Sequence, residues 1–88
     1  MVYGWGAVQI RVQFHAHCRD LAGMPDCVEA MAPGSHVNDL LEKLFGRFPA
    51  LGGFRKSIRV AVGVEYQNGD FILRDGDEVS LLPPVQGG

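Results

Sequence analysis

The carboxylate at the end of the chain is the group best suited to chemistry. Residues 81–88 read Leu-Leu-Pro-Pro-Val-Gln-Gly-Gly, and Gly88 supplies their only charge. Two prolines stiffen the base of this segment, and Gly87 and Gly88 remove side-chain bulk where the chain ends. Such an end fits a narrow tunnel in another protein, where a carboxylate activated as an acyl-adenylate accepts attack by a thiol or persulfide. The alternative is a frayed end without a role.

Histidine, cysteine and acidic residues elsewhere are weaker candidates. His15, His17 and Cys18 form a His-Ala-His-Cys run, but a closed zinc site usually takes four ligands in paired spacings, and no second pair follows. We therefore expect no metal and two reduced thiols, Cys18 and Cys27, rather than a disulfide. The acidic residues of segment 75–78 surround a glycine, which is typical of a tight turn rather than an acid/base site.

The composition is that of one small domain. The chain has 88 residues, of which 47% are hydrophobic and 20% charged, so it can form a core. Eight basic and ten acidic residues give a formal net charge of −2, which argues against nucleic acid as the main partner. The sequence has neither an apolar run near the ~20 residues of a membrane helix nor a signal peptide. We expect a cytoplasmic protein without a membrane partner.

Hydrophobic periodicity predicts the elements of the first third of the chain. Segment 1–7 is interpreted as a loosely ordered lead-in. Apolar residues alternate with polar ones from Val8 to Phe14, which predicts a half-buried strand. Segment 16–23 predicts a short helix ended by Gly23, and segment 27–31 a second strand that forms a hairpin with the first.

A long amphipathic helix is predicted next. Ser35 suits its N-cap, Asp39 falls in its first turn, and Pro49 ends it. Segment 50–57 is a loop or a second short helix. One face of the long helix is apolar and is expected to cover the sheet; it consists of Val37, Leu40, Leu41, Leu44, Phe45 and Phe48.

Strands and turns fill the last third. Alternation over residues 58–64 predicts a central strand. Asn68-Gly69 and Asp75-Gly76-Asp77 predict tight turns, with a short extended segment around residues 71–73 between them.

The last strand determines where the tail begins. If Val79 and Leu81 face the core, Leu82 faces away from it and becomes a candidate docking anchor; the alternative is that Leu82 is covered by its own loops. Pro83 and Pro84 end the hydrogen bonding of this strand. One helix packed across a mixed sheet gives an α+β domain over residues 8–82, followed by an extended tail over 83–88.

The run D-G-D-E-V-S-L-L-P-P-V-Q-G-G at residues 75–88 resembles the C-terminus of the MoaD/ThiS family of sulfur carriers. The run F-H-A-H-C-R-D-L-A-G at residues 14–23 and the central helix extend the resemblance over residues 8–88. It is strongest to the small subunit of molybdopterin synthase. The resemblance implies the β-grasp, ubiquitin-like fold, with a mixed sheet packed on one main helix and a flexible C-terminal Gly-Gly tail.

The family's chemistry implies that this chain carries sulfur and leaves catalysis to its partners. A MoeB-like adenylating enzyme would use ATP to adenylate Gly88, and a sulfur donor such as a cysteine desulfurase or rhodanese would convert it to a thiocarboxylate. Val85, Gln86 and Gly87 would lie in a tunnel of a MoaE-like large subunit, where sulfur passes to cyclic pyranopterin monophosphate. No cofactor is expected to bind this chain itself.

The resemblance also implies partner-binding positions: Arg19 after the first strand, Tyr66, and Leu82 with Pro83 and Pro84. Three other functions stay open. They are a carrier for thiamine, cysteine or tungsten-cofactor synthesis, a ubiquitin-like modifier that forms isopeptide bonds with lysines, and a β-grasp binding module in which Gly-Gly is incidental. The Pro-Pro pair favours the molybdopterin branch.

Overall fold

A computed structural model describes residues 6–84. Within this range five strands and three helices follow one another, and none of the helices is long and apolar enough to cross a membrane. The elements are β1 (Val8–Phe14), α1 (His17–Ala22), β2 (Asp26–Met31), α2 (Val37–Arg47), α3 (Pro49–Gly52), β3 (Arg59–Val62), β4 (Glu65–Tyr66) and β5 (Glu78–Leu82). The predicted order and the α+β class are confirmed.

The five strands form one mixed sheet in the order β2-β1-β5-β3-β4. β1 and β5 are parallel, with Phe14 opposite Leu81, and the remaining neighbours are antiparallel. This order, with α2 packed across one face, is that of the β-grasp fold. The prediction that residues 58–64 form the central strand is wrong, because β5 inserts between β1 and β3 and takes the centre.

The core lies between α2 and one face of the sheet. Alternate residues of β1 and β5 meet the apolar stripe of α2, as the two sequence periods require. Burying each such side chain contributes roughly 1.5–3 kcal/mol. The fully buried large side chains include Ile10, Val12, Val37, Leu40, Leu44, Leu51, Leu73, Val79 and Leu81.

The long helix begins one residue later than predicted. His36 is its N-cap, and the backbone N–H of His36 donates to Asp39 Oδ2 at 2.8 Å. This hydrogen bond lowers the pKa of Asp39. Ser35 does not cap the helix, because its hydroxyl instead donates to the carbonyl oxygen of Ala32 at 2.7 Å. α2 ends at Arg47, and Pro49 starts the short helix α3.

The tight turns differ in part from the prediction. The hairpin between β3 and β4 turns at Gly63, which has a φ of 64°, and the next residue, Val64, is 98% exposed. At Asn68 a turn does form, since the N–H of Phe71 donates to its carbonyl at 3.1 Å. Gly69 adopts no positive φ; a side chain there would overlap Asn38. The Asp75-Gly76-Asp77 turn is confirmed, with Gly76 at a φ of 87°.

A buried carboxylate joins the edge strand β2 to α2. Glu29 points to the core side of the sheet and is 4% exposed. Arg47 donates to its Oε2, and Lys43 Nζ lies 3.5 Å from its Oε1 and donates to the carbonyl of Ala30 at 2.7 Å. No sequence pattern marks this cluster, because its members come from separate elements. The cluster anchors β2, the edge strand next to β1, to the helix α2.

Arg47→Ala is expected to lower the free energy of unfolding by about 2 kcal/mol, because a buried carboxylate would lose its principal donor. Arg55→Ala is the matched control. Arg55 also pairs with a glutamate, Glu42, but both side chains of that pair are at least half exposed, so its loss should cost less than about 1 kcal/mol. Urea unfolding of both variants measures the difference. Equal losses would contradict the structural role assigned to Glu29.

Candidate functional site

The base of the tail is held by the parallel pairing of the first and last strands. The N–H of His15, just after β1, donates to the carbonyl of Leu81 at 3.1 Å. The chain therefore leaves β1 and β5 at the same edge of the sheet, and α1 lies beside the start of the tail. Pro83 is half-buried and Pro84 exposed there. The predicted tail residues Val85, Gln86, Gly87 and Gly88 lie outside the described residues.

The strand faces agree with the prediction. Val79 and Leu81 are fully buried, so Leu82 points to the outer face of the sheet, away from α2, where it is half-buried. Antiparallel pairing places Arg59 directly opposite Leu82. Tyr66 pairs with Ala61, two residues further along β3 on the same face, and is 61% exposed. An apolar side chain and an aromatic ring thus share the outer face near the tail.

Arg19 approaches the same edge from a different element. It is exposed on α1, and its carbonyl accepts the N–H of Gly23 at 2.9 Å. Gly23 closes the helix in the left-handed conformation, with a φ of 77°. The sheet supplies Leu82 and Tyr66, whereas a separate helix supplies Arg19.

Ala16, which connects β1 to α1, has an unusual backbone conformation. Its φ of 50° and ψ of −123° form a combination that residues with a side chain rarely adopt. Such strain persists where the surrounding contacts hold it; here the carbonyl of Ala16 accepts the N–H of Arg19 at 3.0 Å. The strained residue therefore lies at the turn through which the chain enters α1, and no sequence pattern marks it.

The acidic residues of the 75–77 turn are engaged in backbone hydrogen bonds. Asp75 Oδ1 accepts the N–H of Gln9 at 2.7 Å, and Asp77 Oδ2 accepts the N–H of Arg74 at 2.8 Å. These bonds support the turn interpretation over an acid/base site. Within residues 6–84, no group of three or more His, Cys, Asp or Glu side chains is placed to hold a metal ion.

Both cysteines are free thiols in surroundings that disfavour the thiolate. Burial raises the pKa of Cys18. Burial, followed by the negative charge of Glu29, raises the pKa of Cys27 to about 11. Because the thiolate is the nucleophile, neither side chain is activated at neutral pH. Among the described residues the sulfur atoms are thus poor candidates for the reactive group.

Comparison with known proteins yields consistent similarities. Residues 12–88 match the ThiS family. The molybdopterin synthase sulfur carrier subunit of Chlamydomonas reinhardtii is 35% identical, over 92% of this chain and 100% of that protein. Two solved structures are each 29% identical. The alignment with the putative molybdopterin converting factor, subunit 1, of Pyrococcus furiosus has a TM-score of 0.77. It covers 89% of this chain and 99% of that chain. Small archaeal modifier protein 1 of Methanosarcina acetivorans has a TM-score of 0.75, with 93% and 98% covered.

The raised pKa of Cys27 predicts slow alkylation. In a Cys18→Ala variant, whose only thiol is Cys27, the thiolate fraction at pH 8 should be about a hundredfold lower in folded than in unfolded protein, given a pKa near 11 rather than 9.0. Iodoacetamide labelling with and without urea measures this ratio. The folded rate should still rise about tenfold per pH unit above pH 9, where the unfolded rate levels off. Fast labelling of folded protein at pH 7 would restore Cys27 as a candidate sulfur site.

Proposed function

The chain belongs to the ThiS family, and we propose on this basis that it is the sulfur carrier subunit of molybdopterin synthase, with sulfur held as a thiocarboxylate on Gly88. The observation that carries the proposal is that the family match extends to residue 88 and so includes the Gly-Gly end. The raised pKa values of Cys18 and Cys27 support the same assignment, because they disfavour the thiolate form of both side chains.

In the proposed reaction a carboxylate oxygen of Gly88 attacks the α-phosphorus of ATP on a MoeB-like enzyme, and pyrophosphate leaves. The terminal sulfur of a persulfide on a cysteine desulfurase or rhodanese then attacks the acyl carbon and displaces AMP. A thiol reduces the resulting acyl disulfide, which releases the donor protein and yields the thiocarboxylate. ATP is bound by the activating enzyme and not by this chain. In the MoaE-like large subunit the sulfur passes to cyclic pyranopterin monophosphate.

In this proposal the described residues bind the partner and orient the base of the tail. We assign Arg19, Tyr66 and Leu82 to a docking face that surrounds the base of the tail. Pro83 and Pro84 have no N–H to donate, so the chain stops pairing with the sheet after Leu82 and is directed outward. The tail, Val85 to Gly88, is proposed to enter the tunnel of the large subunit. The two free thiols support a cytoplasmic location, since the cytosol keeps thiols reduced.

The similarity to an archaeal modifier protein favours one second candidate. In that function the activated Gly88 would form an isopeptide bond with a lysine of another protein. Both functions begin with the same adenylate and differ in the nucleophile that attacks it. Lysine conjugates of higher mass in cell extracts would identify the modifier.

Intact-mass analysis of the protein from its native cell tests the proposal. The expected species has one oxygen of the C-terminal carboxylate replaced by sulfur. Incubation of purified protein with ATP, the adenylating enzyme and a sulfur source should produce the same species. An unchanged mass under both conditions would contradict the carrier function.

Adding a single residue after Gly88 should reduce sulfur transfer at least about a hundredfold and leave the fold intact, because misplacement of a reacting group by about 1 Å already costs that much. The same residue added before Met1 is the control. Thiocarboxylate formation by mass spectrometry and thermal unfolding provide the two measurements. An extended protein that transfers sulfur without proteolytic trimming would contradict the role of Gly88.

Leu82→Asp should weaken binding to the large subunit by about 2 kcal/mol, or roughly thirtyfold, because buried apolar anchors dominate interface affinity. The free domain should lose about 1 kcal/mol or less, since Leu82 lies outside the core. Val28→Asp is the matched control: Val28 is an exposed apolar residue on β2, on the same outer face but at the far edge of the sheet. Calorimetric titration and thermal unfolding separate the two effects. A strongly destabilised free domain would show that Leu82 acts as a core residue.

A further inference from the structure

Arg59 lies within the docking face, although no sequence pattern marked it. It is exposed on β3, directly opposite Leu82. Its guanidinium carbon is 5.3 Å from the centre of the Tyr66 ring. The charge therefore lies between Leu82 and Tyr66, two of the side chains to which we assigned partner binding.

Three arginines in the described range stack on aromatic rings, and Arg59 differs from the other two. Arg47 lies over Phe48 and also pairs with Glu29. Likewise Arg55 lies over Phe45 and pairs with Glu42. Within residues 6–84, Arg59 has a ring but no carboxylate. The stacked arginine without a carboxylate in this range is therefore the one on the outer face of the sheet.

The nearest acidic side chain along β5 does not fill the gap. Glu78 shares the outer face, but it is four residues from Leu82, or about 13 Å at 3.3 Å per residue. Its Oε2 accepts the side-chain amide of Gln13. In the part of the chain that the structure describes, the guanidinium of Arg59 therefore has no carboxylate partner.

Docking on Leu82 would remove water from Arg59, because cross-strand neighbours have Cβ atoms only about 5 Å apart. A guanidinium that loses water without gaining a partner opposes binding. The contact with Tyr66 occupies one face of the guanidinium. The N–H groups lie along its edge, where a carboxylate can accept two parallel hydrogen bonds.

We propose that Arg59 is a specificity residue of the docking face and that it pairs with an aspartate or glutamate side chain of the large subunit. The inference rests on the proposed function, since it requires that subunit to bind Leu82 and Tyr66. It adds the chemistry of the partner surface: an apolar contact for Leu82 beside a carboxylate for Arg59.

Titration of the cognate large subunit against single variants tests the pairing. Arg59→Glu should weaken binding at least about thirtyfold, and Arg59→Gln about tenfold. Arg59→Lys should fall between Arg59→Gln and the wild type, because it keeps the charge and loses the paired hydrogen bonds. Arg74→Glu is the matched control. It makes the same change in net charge at an exposed site before β5 begins, and it should change affinity less than about threefold.

Salt dependence and charge exchange complete the test. Wild-type affinity should fall as salt is raised, and that dependence should weaken in Arg59→Gln. Substituting lysine for the interacting acidic residue of the large subunit should restore binding to Arg59→Glu. Equal affinities of Arg59→Glu and Arg74→Glu, or no rescue by any acidic-to-lysine change on the large subunit, would overturn the pairing.

The Leu82→Asp variant separates a failure of the carboxylate pairing from a failure of the proposed docking face. If Leu82→Asp weakens binding by roughly thirtyfold while Arg59→Glu binds like the control, the docking face stands and the carboxylate pairing fails. If neither variant differs from the wild type, or the wild-type chain does not bind the large subunit, both the docking face and the pairing fail.

Discussion

The first and last strands pair in parallel, with Val12 beside Val79 and Phe14 beside Leu81. The other features of the fold depend on this ladder. It places β5 at the centre of the sheet, with β1 on one side and β3 on the other. The last described strand is therefore held by two neighbours and by buried side chains at alternate positions. Because the paired residues lie far apart in sequence, closing this contact has an entropic cost, which the shared core offsets.

The same ladder links the fold to the proposed chemistry. Parallel strands end at the same edge, so the connection into α1 and the base of the tail lie side by side, joined by the hydrogen bond from His15 to Leu81. In the proposed function, the rigid sheet provides recognition and the chain end carries the sulfur. This division agrees with the raised pKa values of Cys18 and Cys27, since a carrier that holds sulfur on its chain end needs no activated thiol.

Much of the architecture could be predicted from periodicity, and the rest depended on pairing between distant segments. Alternation predicted β1 and the two faces of β5, because each strand is buried on one side. It failed at Val64, which continues the apolar pattern of β3 but lies in a hairpin turn that Gly63 makes possible. The burial of Glu29 could not be predicted, because a charged residue in a strand normally faces solvent. Its partners on α2 become neighbours only after folding. The neighbours Leu82, Arg59 and Tyr66 likewise come from three strands whose register no local pattern specifies.

The stacked arginines show one chemical device serving two purposes. A planar guanidinium resting on an aromatic ring keeps its N–H edge free for a carboxylate. For Arg47 that carboxylate comes from the edge strand, and for Arg55 it comes from α2, so both ion pairs are satisfied within the domain. Arg59 stands on the outer face, where β4 supplies only the ring. The ion pair that is formed within the domain at two positions is left incomplete at the third, beside the base of the tail, where a second protein can complete it.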